Sequence, residues 1–447
     1  MHPLQLNDAV RSHLKHNYSP ENETTSDDKR FTCLLSALGA PPLYTTLRVN
    51  TLKTSMNNAI DILKEKLEEL YNMKQQQLPN LYQHPELNDV MVIENRGPIC
   101  REKSMKEVIV DMTCGMAVLR GADVFVQGIL GCPGDGRSSD KVSVYADLDG
   151  KCLRGYKAYT GQKMFVGNGV LQFSREQMYC GTETLSGIGV LMTEPLYEAP
   201  SLSDMCEDFI FPQNLPSIVC SHVLGPQPGE TILDMCAAPG GKTTHIATLM
   251  KNKGRLVAID RTPQKVEKIV KNAKKMGITI IETYPYDSSK IVDNNADVSG
   301  SPPFCSECFD RILLDGPCSA LGQRPATKNK MSINSLKSYP SYQRTIIHEA
   351  VKLLKPDGVL VYSTCTITQE ENEKQVVWML HNFPDLYLDL QVPHIGQTGQ
   401  YCEGLTENQR HKLQFFDPAT ISSKQTVNND TIGFFIAKFR KKKHDSL

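Results

Sequence analysis

An α/β protein built around a doubly wound parallel sheet is what this 447-residue sequence predicts. Three observations carry that prediction. Beyond residue 201, continuous apolar runs alternate with helical stretches, as in a sheet covered on both faces. A glycine loop and a series of acids follow those runs, where open α/β sheets bind ligands. Between residues 106 and 200 the texture differs: short β-rich runs separated by Gly and Asp predict a small barrel.

Taken in order, residues 1–105 read as a small α/β unit. Residues 18–30, "YSPENETTSDDKR", are polar and expected as a loop. "TTLRVNTLKTSMNNAIDILKEKLEELYNM" is a strand followed by an amphipathic helix, with Ile60, Leu63, Leu67 and Leu70 at helical spacing. "DVMVIE" is another strand. Residues 106–200 hold "KEVIVDMTCGMAVLRGADVFVQGILGC", "DKVSVYADLDG" and "QKMFVGNGVLQF". Glycines such as Gly115, Gly128, Gly150 and Gly167 punctuate them, and Pro195 and Pro200 mark the way out. Residues 201–447 form the large α/β domain. Strands are expected at 231–235, 255–260, 279–283, 311–315 and 359–363, and helices at 242–251, 263–276 and 342–354. Thr262 is placed as an N-cap with Pro263 at the first helical position. "TIGFFIAKFRKKK" reads as a last antiparallel strand at the sheet's edge, and residues 288–308 as an inserted loop.

A formal net charge of −1, with 22% charged and 40% apolar residues, describes an ordinary soluble globular chain. No global basic field advertises a polyanion, so nucleic-acid contacts must come from local patches. No apolar run is long enough to span a bilayer and the start lacks a signal-peptide core, so no membrane partner is expected. Fourteen scattered cysteines suit a reducing compartment, cytosolic or nuclear. Cys305 and Cys308 in "CSEC" have the spacing of half a zinc site, but no second Cys/His pair is near, so no metal is expected.

After the first strand of the large domain comes "DMCAAPGGKTTHIATLM". Gly240 and Gly241 permit close backbone approach and open a helix with outward N–H groups. A phosphate-cradling P-loop would need glycine where Cys236 stands, and a nicotinamide-type Gly-x-Gly-x-x-Gly is absent. Asp260, nineteen residues past Gly241, suits the two hydroxyls of a ribose. Asp287 and Asp315 follow the third and fourth strands. Together they predict a nucleoside-type cofactor across the strand ends, although any one acid could simply cap a helix.

"FDRILLDGPCSA" puts Cys318 three residues past Asp315, and "LVYSTCTIT" puts Cys365 just past the next strand. In a doubly wound sheet those exits can be neighbours. Inert packing and a disulfide are the simpler alternatives. The chemistry that needs this set is methylation of a pyrimidine at C5. That carbon is a weak nucleophile until a thiolate adds to C6 and makes it enamine-like. Asp315 suits stabilisation at N3 of cytosine, while Cys365 and Cys318 divide attack and release. Lys242 is placed to favour a thiolate. On these residues alone, which cysteine attacks is open.

"ILDMCAAPGGKTT", "ILLDGPCSALGQRP" and "LVYSTCTITQEENE" resemble the three main motifs of the Nop/Sun-domain RNA (cytosine-5) methyltransferases. The likeness covers most of residues 201–441. "LRVNTLKTS" resembles the family's N-terminal subdomain, and "CGMAVLRGADVFVQGI" with "FVGNGV" resembles a PUA domain. That insertion is similar to the family's PUA-containing branch, tRNA methyltransferases acting near the acceptor end. The resemblance implies a Rossmann-like doubly wound methyltransferase domain, a small N-terminal α/β subdomain and an inserted PUA barrel. It implies S-adenosyl-L-methionine as cofactor, held by Cys236, Ala237, Ala238, Pro239, Gly240, Gly241 and Lys242 together with Asp260, Lys265, Asp287 and Asp315. It makes Cys365 the nucleophile and Cys318 the release group. The implied partner is tRNA, and the implied target a flipped or frayed base. RNA contacts are expected from Arg120, Phe125, Lys151, Arg154, Lys157 and Asn168 of the barrel. The chain departs from the family at Gly316 and Ala320, and at Phe125 and Gln127, where Tyr and Pro are usual. A cytoplasmic monomer is expected. Two rival readings are the same chemistry on ribosomal or messenger RNA, and a noncatalytic RNA-binding scaffold.

Overall fold

The computed structural model describes residues 2–18, 26–74, 76–180, 185–202, 205–296, 300–419 and 425–443. The apolar runs beyond residue 230 form one sheet, in the order Ile281–Pro285, Arg255–Asp260, Thr231–Asp234, Phe309–Asp315, Leu354–Thr364, Phe434–Lys441 and Leu386–Leu388. The first five strands are parallel. Alternate residues serve opposite cores: Ile312, Leu314, Leu360 and Tyr362 face one side, and Leu313, Val359 and Val361 the other. That two-sided burial is why these strands read as continuous apolar runs. Helices Leu215–Leu224, Gly241–Leu249 and Pro263–Met276 supply one core, and Ile333–Leu353 and Glu373–Asn382 the other. The chain runs outward from Thr231–Asp234, then returns to its other side with Phe309–Asp315. The reversal leaves a crevice beyond the carboxyl ends of those two strands.

Several expectations are corrected here. Phe434–Lys441 is not at the edge: it is antiparallel to Leu354–Thr364, and Leu386–Leu388 and Leu413–Phe416 pair with it on the far side. Its Phe434, Phe435, Ile436, Ala437 and Phe439 are all buried, too apolar for an open edge. The helix expected at 342–354 already starts at Ile333, capped by Ser332 Oγ, which accepts from Ser335 N at 3.1 Å. Pro340 lies inside it and masked the earlier turns, because proline reads as a helix stop. The strand expected at 279–283 is Ile281–Pro285, and the helix expected at 242–251 is Gly241–Leu249. Thr262 occupies the N-cap position without a side-chain capping bond.

In the N-terminal unit, Tyr44–Val49, Val90–Glu94 and Leu81–Gln83 form an antiparallel sheet that Ile210–Pro212 completes. The helix Met56–Met73 buries Leu63 and Leu67, with Ile60 and Leu70 packed beside them. Of the polar stretch expected as a loop at 18–30, residues 19–25 lie outside the described residues. The rest is helical: Tyr18 ends Asp8–Tyr18, and Ser26 opens Ser26–Leu38. Both helices are amphipathic, and Val10, Leu14, Phe31, Leu34 and Leu38 reach into the core under the large sheet. Asp89 ties this unit to the large sheet's helices. Its Oδ1 accepts from His222 Nε2 at 2.9 Å and its Oδ2 from His245 Nε2 at 2.7 Å. Burial drives His245 down to about 3, so it donates as a neutral imidazole. Among the described residues these three side chains are the one group close enough to share an ion, and their spacing is that of hydrogen bonds.

The inserted region is a six-stranded sheet, in the order Val124–Phe125, Ile188–Pro195, Lys163–Leu171, Lys141–Asp147, Glu107–Val110 and Ile129–Gly131. A three-residue turn, Val126–Gly128, joins its two end strands, so the sheet nearly closes. Residues 112–119, expected among the β runs, are instead the helix Met112–Leu119, capped by Asp111, which accepts from Cys114 N at 2.8 Å. Short apolar runs are ambiguous between helix and strand. Gly115 is a packing glycine, not a turn: a Cβ there would meet Ala146 Cβ at 2.4 Å. Among the described residues no helix is long and apolar enough to cross a membrane.

Candidate functional site

The loop after Thr231–Asp234 takes its shape from one glycine. Gly240 has φ 101°, which L side chains rarely adopt, and a Cβ there would lie a tight 3.1 Å from Ile269 Cα, so both conformation and space favour glycine. Arg48 braces the helix that follows. This fully buried guanidinium donates to Thr244 Oγ1 at 2.8 Å and to Gln213 Oε1 at 3.1 Å. In front of the loop is a cavity of about 680 Å³. Its wall includes Asp234, Cys236, Ala237, Ala238, Pro239, Gly241, Lys242 and Asp315.

Acids stand at the carboxyl ends of adjacent strands. Asp260 is buried and accepts from Ala238 N at 3.1 Å and Arg261 N at 2.7 Å, with Lys265 Nζ 3.1 Å away. Asp287 accepts from Ser289 N and Ser289 Oγ at 3.0 and 2.7 Å, which, with its Coulombic neighbours, lowers its carboxyl against a smaller push from burial. Neither lines the cavity wall itself. Asp234 does, and sequence reasoning passed over it, although it ends the first strand as the others end theirs. Its Oδ2 accepts from Thr243 Oγ1 at 2.7 Å. Its Oδ1 is buried without a hydrogen-bond partner among the described residues. Burial pushes this carboxyl up to about 7. A spare buried acceptor beside a glycine loop and a ribose-type acid fits an S-adenosyl group, whose ammonium and hydroxyls are donors.

The two thiols meet across the sheet. Phe309–Asp315 pairs with Leu354–Thr364, Asp315 opposite Ser363, so the residues just beyond are neighbours. Cys318 Sγ lies 3.4 Å from Cys365 Sγ, and both are free thiols. Beside them, Lys242 Nζ donates to Asp315 Oδ2 at 2.6 Å and Ser363 Oγ to Asp315 Oδ1 at 2.7 Å. Asp315 raises Lys242 above the ordinary lysine range against its burial. The Cys318 thiol, donating, holds Cys365 below the ordinary cysteine range against burial and Asp315, and Gln323 and Lys242 add to the lowering. Cys318 is raised, first by that bond and then by burial.

Iodoacetamide is therefore expected to label Cys365 ahead of Cys318 at neutral pH. A lowered pKa raises the thiolate fraction at a given pH and loses it as pH falls through that lowered value. In a Cys318→Ala variant the donor is gone while burial and Asp315 remain, and the Cys365 labelling profile moves to higher pH. Peptide mass spectrometry across the pH range reads both, and an unmoved profile contradicts the bond.

The six residues expected to contact RNA divide. Arg120 is exposed and lines the cavity. Phe125 is 49% exposed, and Lys151 and Lys157 are exposed on the loop between Lys141–Asp147 and Lys163–Leu171. Arg154 is partly committed, donating to Ile129 O at 3.2 Å and lying over the Tyr179 ring. Asn168 is a correction. It is fully buried, with its amide engaged by Ser143 Oγ at 2.7 Å, Glu102 O at 2.7 Å and Glu194 Oε2 at 2.8 Å. It fastens strands together and offers nothing to a surface ligand.

Residues 221–440 match the family model described as 16S rRNA methyltransferase RsmB/F. The chain is 44% identical to the mouse tRNA (cytosine(72)-C(5))-methyltransferase NSUN6, across 98% of this chain and 96% of that protein. It is 33% identical to the tRNA (cytosine(72)-C(5))-methyltransferase of Pyrococcus horikoshii, across 92% of each. The crystal structure of NSun6 from Pyrococcus horikoshii with SFG, an S-adenosylmethionine analogue, superposes with a TM-score of 0.77 at 30% identity, over 98% of this chain and 99% of that one. On this identity, coverage and shared fold, the chain belongs to the Nop/Sun-domain RNA (cytosine-5) methyltransferase family.

Proposed function

We propose that this chain methylates cytosine C5 in tRNA, near the 3′ acceptor end, through a transient bond between Cys365 and C6 of the base. The observation that carries this is the sulfur pair, 3.4 Å apart, beside the Lys242–Asp315 ion pair in the wall of the glycine-loop cavity. S-adenosyl-L-methionine, held by the 236–242 loop with Asp234, Asp260, Lys265, Asp287 and Asp315, supplies an electrophilic methyl group.

This chain's residues do the rest. The Cys365 thiolate adds to C6, and the C5–C6 electrons make C5 nucleophilic. N3 takes a proton from water as the sulfur adds and returns it when the sulfur leaves, and Asp315, held by Lys242 and Ser363, keeps lone pairs free to accept from that N3–H. Once Cys365 is a thioether it no longer accepts from Cys318. The largest cause of the raised Cys318 pKa is then gone, and Cys318 can lose its proton to water. Its thiolate takes the C5 proton, the C5–C6 double bond re-forms, and the Cys365 thiolate leaves.

In this reading residues 1–105, 106–200 and 201–447 are an N-terminal subdomain, a PUA domain and the methyltransferase domain. The nearly closed six-stranded sheet supports the PUA assignment. Arg120, Phe125, Lys151, Lys157 and Arg154 grip single-stranded 3′ nucleotides, which holds the target where unstacking costs least, about a few kcal/mol. The working form is a cytoplasmic monomer. Bisulfite sequencing of tRNA incubated with protein and cofactor tests the function. A protected cytosine in the acceptor stem is expected; conversion of every cytosine refutes the reading, and protection confined to ribosomal RNA transfers the chemistry to that substrate.

A further inference from the structure

We propose that Glu371 is a positioning residue that sets Cys318 against Cys365, an inference that rests on the covalent reaction proposed above. Its carboxylate is fully buried and gathers four donors. Oε2 accepts Ser319 N at 2.9 Å and Gln343 Nε2 at 3.0 Å. Oε1 accepts Ser319 Oγ at 2.6 Å and Thr368 Oγ1 at 2.8 Å.

Ser319 and Thr368 belong to the two thiol-bearing loops, and Gln343 to the helix Ile333–Leu353. Ser319 directly follows Cys318, and its hydroxyl also lies 2.7 Å from Thr366 Oγ1, directly after Cys365. Gln343 reaches the same loop from the other side, donating to Pro317 O at 3.0 Å. Tyr362 locks the assembly from below, its hydroxyl donating to Glu371 O at 2.7 Å with Gln343 Oε1 3.1 Å away. Half of these bonds act on residues 317–319, so the loop that carries Cys318 is clamped to the strand end that carries Cys365. Burial raises the Glu371 carboxyl and the donors oppose it. A buried carboxylate is costly unless it is hydrogen-bonded, and here the two thiol-bearing segments and one helix supply the donors. Here it fixes the distance between two sulfurs that must exchange roles within one catalytic cycle.

The test compares Glu371→Gln, Cys318→Ala and the double variant, reading KM, kcat and covalent protein–RNA adduct on denaturing gels. Gln keeps the size but turns one acceptor into a donor facing Ser319 or Thr368. In Glu371→Gln, kcat falls about 10- to 100-fold with KM for RNA nearly unchanged, and adduct accumulates because release is slowed. In the Cys318→Ala background, where release is already lost, the same change slows adduct formation by less than about twofold. A kcat in Glu371→Gln close to the parent's overturns the proposal. So does slowed adduct formation in the Cys318→Ala background, which is what a merely structural role gives. If Glu371→Gln does not fold, Ser319→Ala removes one donor and is read in the same way, with a smaller loss. A parent that methylates RNA while Cys318→Ala forms no adduct removes the release assignment, and the positioning role with it. A parent that methylates nothing refutes the proposed function itself.

Discussion

Cys365→Ala is expected to lower methyl transfer to RNA by roughly 10⁴-fold or more, about 5 kcal/mol of lost transition-state stabilisation. Nothing else near C6 substitutes for it. Without Cys365 the Cys318 thiol is still raised by burial, and oxygen donors such as Ser363 are committed to Asp315. Cofactor affinity is expected to stay near the parent's, because the glycine loop follows a different strand, Thr231–Asp234. Methyl incorporation and cofactor binding, measured on the same preparation, separate the two effects. Full incorporation in this variant removes Cys365 as the nucleophile.

Cys318→Ala is expected to do the opposite to the intermediate. The Cys365 sulfur still adds to C6, but the group that takes the C5 proton is gone, so a protein–RNA species survives denaturing electrophoresis. Turnover falls by about 10³-fold or more. Loss of the Cys318 donor also raises the Cys365 pKa, so adduct forms more slowly at neutral pH than in the parent and more readily as pH rises. The double variant Cys318→Ala/Cys365→Ala forms none. Turnover in Cys318→Ala matching the parent's, with no retained adduct, removes the release role.

Much of this site was legible in the chain because its signals are local. Glycines at 240 and 241, acids at strand ends and cysteines just past two strands are set by spacing alone. Pro263 and the apolar run 255–260 placed their elements with the same ends as observed. Other features were hidden because their partners are distant in sequence. Asp89 meets His222 and His245 across 133 and 156 residues. Asn168 reads as a polar barrel residue, and only three contacts from 25 to 66 residues away show that it is buried. Glu371 is one of several charges in "TQEENE", yet its carboxylate accepts from residues of both thiol-bearing segments, Ser319 and Thr368.

The sequence by itself determined the parallel α/β architecture, the glycine loop, the identity of both thiols and the chemistry they imply, because periodicity, turn propensity and side-chain reactivity are properties of short segments. Tertiary structure alone decided which thiol is the more acidic, that Asp234 keeps a free acceptor, and that Glu371 clamps Cys318. Those are matters of desolvation and of hydrogen bonds a few ångströms long, and they come into being only when strands far apart in the chain are laid side by side.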